Sequence, residues 1–60
     1  TRLRIDRACG LLAATDQPIA GICFECGFND LPHFYRTFRR LRRVAPGVFR
    51  QRHRQNPTSR

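Results

Sequence analysis

Cys23 and Cys26 stand three residues apart with His33 seven residues further on, and thiolate and imidazole are ligands that zinc takes. The same Cys-x-x-Cys spacing also occurs in thiol–disulfide exchange motifs. Neither chemistry is well supported. A second cysteine pair is missing, and the exchange motif needs a strand-to-helix setting that this stretch lacks. Ile19, Ile22, Cys23 and Cys26 instead fall at i, i+3, i+4 and i+7, a stripe in which Cys acts as a small core hydrophobe. His33 then reads as a residue packed beside a turn and His53 as a surface residue. No metal site is expected.

The arginines are the stronger signal. All twelve basic residues are arginine, against the four acids Asp6, Asp16, Glu25 and Asp30, and the formal net charge is +8. Arg36, Arg39, Arg40 and Arg43 fall at i, i+3, i+4 and i+7, and no acid follows Asp30. Such a strip suits a polyanion, through phosphate neutralisation and through the bidentate grip of guanidinium on a guanine edge. No grouping of nucleophile, base and orienter is evident, and four scattered carboxylates argue against an enzyme. Neither a catalytic residue nor a cofactor is expected.

Helices must position these groups. Leu3, Ile5, Ala8, Cys9, Leu11 and Leu12 repeat with three-to-four spacing, so residues 2–14 read as an amphipathic helix, with Gly10 marking close approach of a neighbour. The Thr15-Asp16-Gln17-Pro18 cluster ends it and offers Asp16 or Gln17 as a cap for a short helix over 18–26, with Pro18 in its first turn. Gly27 can take a left-handed backbone, Phe28 folds back onto the core, and Asn29 or Asp30 caps a third helix over 31–42. There Leu31, Phe34, Phe38 and Leu41 share one face, leaving Pro32, His33, Tyr35 and the arginines on the other. A last helix over 46–54 turns Val48 and Phe49 inward and Arg50, Arg52 and Arg54 outward, and residues 55–60 have the composition of a flexible tail.

The architecture expected is all-α, a helix-turn-helix module of three to four helices like a homeodomain, on a chain that buries only about 60% of its unfolded surface. With no long apolar run and no signal-peptide pattern, no membrane association is expected. Three cysteines cannot close a disulfide framework and suit a reducing compartment, so the chain reads as cytoplasmic.

The string Ile19-Ala20-x-Ile22-x-x-x-x-Gly27-Phe28-x-Asp30-x-x-x-Phe34-x-Arg36-x-Phe38-x-Arg40, then Val44-x-Pro46 and Phe49-Arg50, resembles the second helix-turn-helix of the arabinose-regulator (AraC/XylS) family of bacterial transcription regulators. Residues 2–14 correspond to the family's connector between its two such units. The resemblance implies a C-terminal half of a DNA-binding domain whose first reader is not included. The implied partner is double-stranded DNA, with residues 31–42 as recognition helix in the major groove. An effector or dimerisation domain is implied on the N-terminal side of the intact protein.

Arg36 matches the family's recognition-helix arginine and is the first candidate for base readout, joined by Tyr35 and by Leu31 and Pro32 as apolar contacts. Arg39, Arg40 and Arg43 lie further from the helix start and suit phosphates. The chain departs from the family where Pro18 and Gly21 replace Ser and Glu, and where Ala45 and Val48 replace Thr and Glu, so two capping boxes are lost. Arg43 stands at a customary glycine. Other readings are an arginine-rich binder of RNA or anionic surfaces, and a helical interaction module with RNA polymerase as partner. Neither needs the Gly27-Phe28 turn together with basic residues concentrated on one helix.

Overall fold

The computed structural model describes residues 1–58, with side chains described through His53. Among the described residues there are four helices: α1 (Arg2–Ala14), α2 (Ile19–Glu25), α3 (Leu31–Arg42) and α4 (Pro46–Thr58). The last helix passes the expected end at residue 54. The side-chain direction of Arg54 and residues 59–60 of the expected tail lie outside the described residues.

Ile5, Ala8, Cys9 and Leu12 of α1 meet Ile22, Cys23 and Cys26 from the α2 region, Phe28 of the turn, Phe34 and Phe38 of α3, and Phe49 of α4 in one core. Its spine is aromatic. Phe28 meets Phe34 edge-on at 5.1 Å between centroids, Phe34 lies 5.8 Å from Phe38, and Phe38 meets Phe49 edge-on at 5.6 Å. These geometries suit the ring quadrupole and tie the turn, α3 and α4 into one body.

Two expected core positions are corrected. Leu3 is 82% exposed because it sits two residues before Ile5, nearly opposite it on a helix with 3.6 residues per turn. Val48 is 39% exposed, since Phe49 beside it takes the inward direction. Gly10 also departs from expectation: a Cβ built there meets nothing within 4 Å, so no neighbour approaches closely. Gly10→Ala is therefore expected to stabilise the chain by about 0.5–1 kcal/mol through the helix propensity of alanine. A thermal melt checks this, and a lower melting temperature in the variant would count against it.

The end of α1 and the start of α2 differ in detail from the sequence reading. Pro18 is itself the N-cap of α2, with no side-chain cap, in place of Asp16 or Gln17. Thr15 closes α1 instead. Its backbone N–H donates to Leu11 O at 2.9 Å and its hydroxyl to the same carbonyl at 2.7 Å.

Arg50 completes this junction. Its Nε donates to Leu12 O at 3.1 Å, and its Nη2 donates to Thr15 O at 3.1 Å and Gln17 O at 2.6 Å. Arg50 thus points inward, against expectation, because a helix end leaves carbonyls without intrahelical partners and this guanidinium reaches several at once.

The three cysteines are buried and free. Burial pushes all three thiols above their ordinary range, with Asp30 adding to the rise at Cys23. The Cys23 thiol donates to Asp30 O at 3.6 Å. We expect the thiols to stay unreactive toward a disulfide reagent at neutral pH until the chain unfolds. Thiols raised in the folded state ionise first in the unfolded one, so stability should fall as pH rises above about 8.5. Rapid labelling of folded protein at pH 7 would contradict this.

Candidate nucleic-acid interface

The turn that presents α3 is fixed by its backbone. Gly27 has φ +96°, Gly27 N–H donates to Phe24 O at 3.1 Å and Phe28 N–H to Cys23 O at 3.1 Å. These are the paired bonds of a Schellman motif, whose left-handed position favours glycine. Arg4 of α1 closes over it, donating from Nη1 to Gly27 O at 3.4 Å. Asp30 then caps α3, its Oδ1 accepting the His33 N–H at 2.8 Å, with Pro32 in the first turn where a missing N–H matters least.

At its other end α3 stops at Arg43, which has φ +71° and donates its N–H to Arg39 O at 2.8 Å. A side chain in that conformation is disfavoured by about 1–2 kcal/mol relative to the right-handed helix. A charged residue is thus held in left-handed backbone at the position where the resemblance implies a glycine.

Between these ends α3 is two-faced. Phe34, Thr37 and Phe38 are buried, whereas Pro32, His33, Tyr35, Arg36, Arg39, Arg40 and Arg43 are exposed. Leu31 is half-buried and packs against the core, so only part of its surface remains available. Tyr35 is 37% exposed and stands edge-on to Phe34 at 6.0 Å between centroids. Arg39, Arg40 and Arg42 lie in the last turn, where positive charge complements the helix dipole.

His33, Arg36, Thr37, Arg39 and Arg40 line an open concavity of about 550 Å³ on this surface. Arg42, in contrast, turns toward α1 and α4: its Nη1 lies 3.9 Å from Asp6 Oδ1 and its guanidinium 5.6 Å from the centre of the Phe49 ring. No local sequence pattern marks Arg42, or the inward direction of Arg50. His33 and Thr37 on the concavity were missed too, although His33, Arg36 and Arg40 share the i, i+3, i+7 spacing of one helix flank.

Three of the four acids make contacts within the fold. Asp30 caps α3, Asp6 faces Arg42, and Glu25 Oε2 lies 3.7 Å from Arg7 Nη2. Both ion pairs are largely exposed and contribute little to stability. Among the described residues no group of three His, Cys, Asp or Glu side chains is placed to hold a metal ion, and no helix is long and apolar enough to cross a membrane.

The sequence model of a family described as "Helix-turn-helix domain" matches residues 1–52. The chain is 38% identical over 53 residues to the MmsAB operon regulatory protein of Pseudomonas aeruginosa, covering 88% of this chain and 17% of that protein. It is 42% identical over 50 residues to the HTH-type transcriptional activator RhaS of Enterobacter sp., covering 83% of this chain and 18% of that protein. The RhaS of Citrobacter koseri is 40% identical over the same length. No solved structure matches. The chain thus spans less than a fifth of these relatives. With the capped, glycine-turned α2–α3 pair and this match over nearly the whole chain, it belongs to the AraC-type helix-turn-helix family, as part of the DNA-binding region of a transcription regulator.

Proposed function

We propose that this chain binds double-stranded DNA by laying α3 in the major groove, reading bases near the start of the helix and gripping phosphates further along. The observation that carries this reading is the acid-free arginine face of α3, set opposite the Phe34–Phe38 core and held at a fixed angle by the Gly27 turn and the Asp30 cap. Arg36 is the principal base reader, with Tyr35, Pro32 and the exposed part of Leu31 beside it. Arg39, Arg40 and Arg43 neutralise phosphates. An arginine-rich peptide binding RNA or anionic surfaces without selectivity would need neither the turn nor the cap, so the groove reading is the better supported.

The role is binding rather than catalysis, exercised in the cytoplasm. In the whole regulator we infer a second reader on the N-terminal side and an effector or dimerisation domain. RNA polymerase is a further partner that we infer for the whole protein, in keeping with relatives such as RhaS being named transcriptional activators.

Two single substitutions separate the roles. Arg36→Ala should cost about 1–3 kcal/mol on the preferred site and flatten selectivity at one base pair. Arg40→Ala should weaken all sequences alike. The measurement is binding to a selected site and to single-base variants of it; equal, sequence-independent losses for both substitutions would move Arg36 to the phosphate set.

A further inference from the structure

His33 shares the open concavity of α3 with Arg36, Arg39 and Arg40, and it is exposed there. Its backbone is pinned by the Asp30 carboxylate, and its ring stands edge-on to Phe28 at 5.4 Å between centroids. The residue is therefore held in place while its imidazole edge remains open to solvent. On the helix it lies on the same flank as Arg36 and Arg40, three and seven residues further on, a row about 10 Å long. Arg36 lies nearest the outward centre of α3, while Arg40 and His33 stand progressively to one side of it. A helix inserted in a groove turns its centre to the base edges and its flanks to the sugar–phosphate walls.

We propose that His33 is a further phosphate-contacting residue, and that its contact is made by the imidazolium, so that DNA binding takes up a proton. This rests on the groove reading of α3. The charged and titratable groups around the imidazole are Arg36, Arg39 and Arg40 of its own helix, and from the turn the Asp30 carboxylate that caps it, with the Cys23 thiol bound to Asp30 O behind. A phosphate brought into the concavity adds negative charge at the open edge and favours the protonated ring. Imidazole is the side chain whose charge ordinarily changes between pH 5 and 8. The sign follows: the contact is present at lower pH and lost as pH rises.

The test is a salt titration of binding to a random-sequence 20-base-pair duplex at about pH 6 and about pH 8, since phosphate contacts do not depend on sequence. Each neutralised phosphate contributes about −0.9 to the slope of log affinity against log salt, so the slope should steepen by about 0.9 at the lower pH. Affinity at moderate salt should rise about 3- to 10-fold with it. His33→Gln should remove both changes, giving the same slope and affinity at the two pH values. His53→Gln should keep them, because the other histidine of the chain stacks on Phe49 of α4 at 3.9 Å between centroids, away from the concavity. A slope that is the same at both pH values, or a pH effect that survives His33→Gln, overturns the proposal. If replacing Arg36, Arg39 and Arg40 together leaves binding and slope intact at both pH values, the groove reading itself fails, a result distinct from either of these.

Discussion

Raising salt from about 50 to about 200 mM is expected to weaken binding of this chain to duplex DNA about 40-fold at pH 8. The number follows from which arginines are free to meet phosphate. Twelve are present, and a simple charge count would make all of them counterion-releasing contacts. The structure divides them. Arg50 is committed to three backbone carbonyls, Arg42 faces Asp6 and Phe49, Arg7 pairs with Glu25, and Arg4 closes over the Gly27 turn. Arg36, Arg39, Arg40 and Arg43 remain together on the exposed face of α3. With Arg36 turned to the bases, Arg39, Arg40 and Arg43 make three phosphate contacts and a log–log slope of about −2.7, hence the roughly 40-fold loss over a fourfold rise in salt. Replacing Arg39, Arg40 and Arg43 by glutamine should bring the slope above about −1, whereas Arg52→Gln on α4 should leave it unchanged. A slope near zero for the unsubstituted protein would reject phosphate-dominated binding. One near −9 would mean that the arginines of α1 and α4 take part as well.

What could be read from the sequence was local. Gly27 followed by Phe28 announces a left-handed helix stop with an apolar residue folding back, and both features are present, φ +96° at Gly27 and 4% exposure at Phe28. The cap at Asp30 and the Phe34–Phe38 face are equally local, since a cap acts within three residues and an amphipathic face within one or two turns. The polar face of α3 could therefore be assigned from residue types and period alone.

The features that escaped depend on contacts distant in the chain or on exact angles. Leu3 and Val48 are apolar and close to the right spacing, but about half a turn and about a quarter of a turn from the core direction, respectively. Gly10 looked like a contact site because its propensity is poor, yet open space surrounds it. Arg50 looked like one more outward charge in Arg50-x-Arg52. Its partners lie 33 to 38 residues away, and no local pattern points to them. The available clue was indirect: residues 2–14 end without a glycine stop or a basic last turn, so their final carbonyls needed donors from elsewhere.

That clue leads to the largest stability effect expected of a surface-charged residue in this chain. Arg50→Ala removes one guanidinium and, with it, the bonds to Leu12 O, Thr15 O and Gln17 O. Charge-assisted bonds contribute about 1.5–3 kcal/mol each when well buried. These are half-buried or exposed, and water can reach the freed carbonyls, so the whole set should be worth about 2–3 kcal/mol rather than the sum. In a domain of this size each kcal/mol moves the melting temperature by about 4–8 °C, so a fall of about 10–20 °C is expected. Arg50→Lys should recover only part of it, because an ammonium is a point charge without the planar fork that spans several acceptors. The loss should fall on the α1–α4 junction and not on the face of α3, so at a temperature where the variant is still folded its salt slope on DNA should equal that of the unsubstituted protein. A melting temperature unchanged within about 2 °C would show that solvent replaces the clamp at no net cost. A normal melt with an altered slope would instead place Arg50 among the phosphate contacts, and the arginine count behind the expected salt dependence would have to include it.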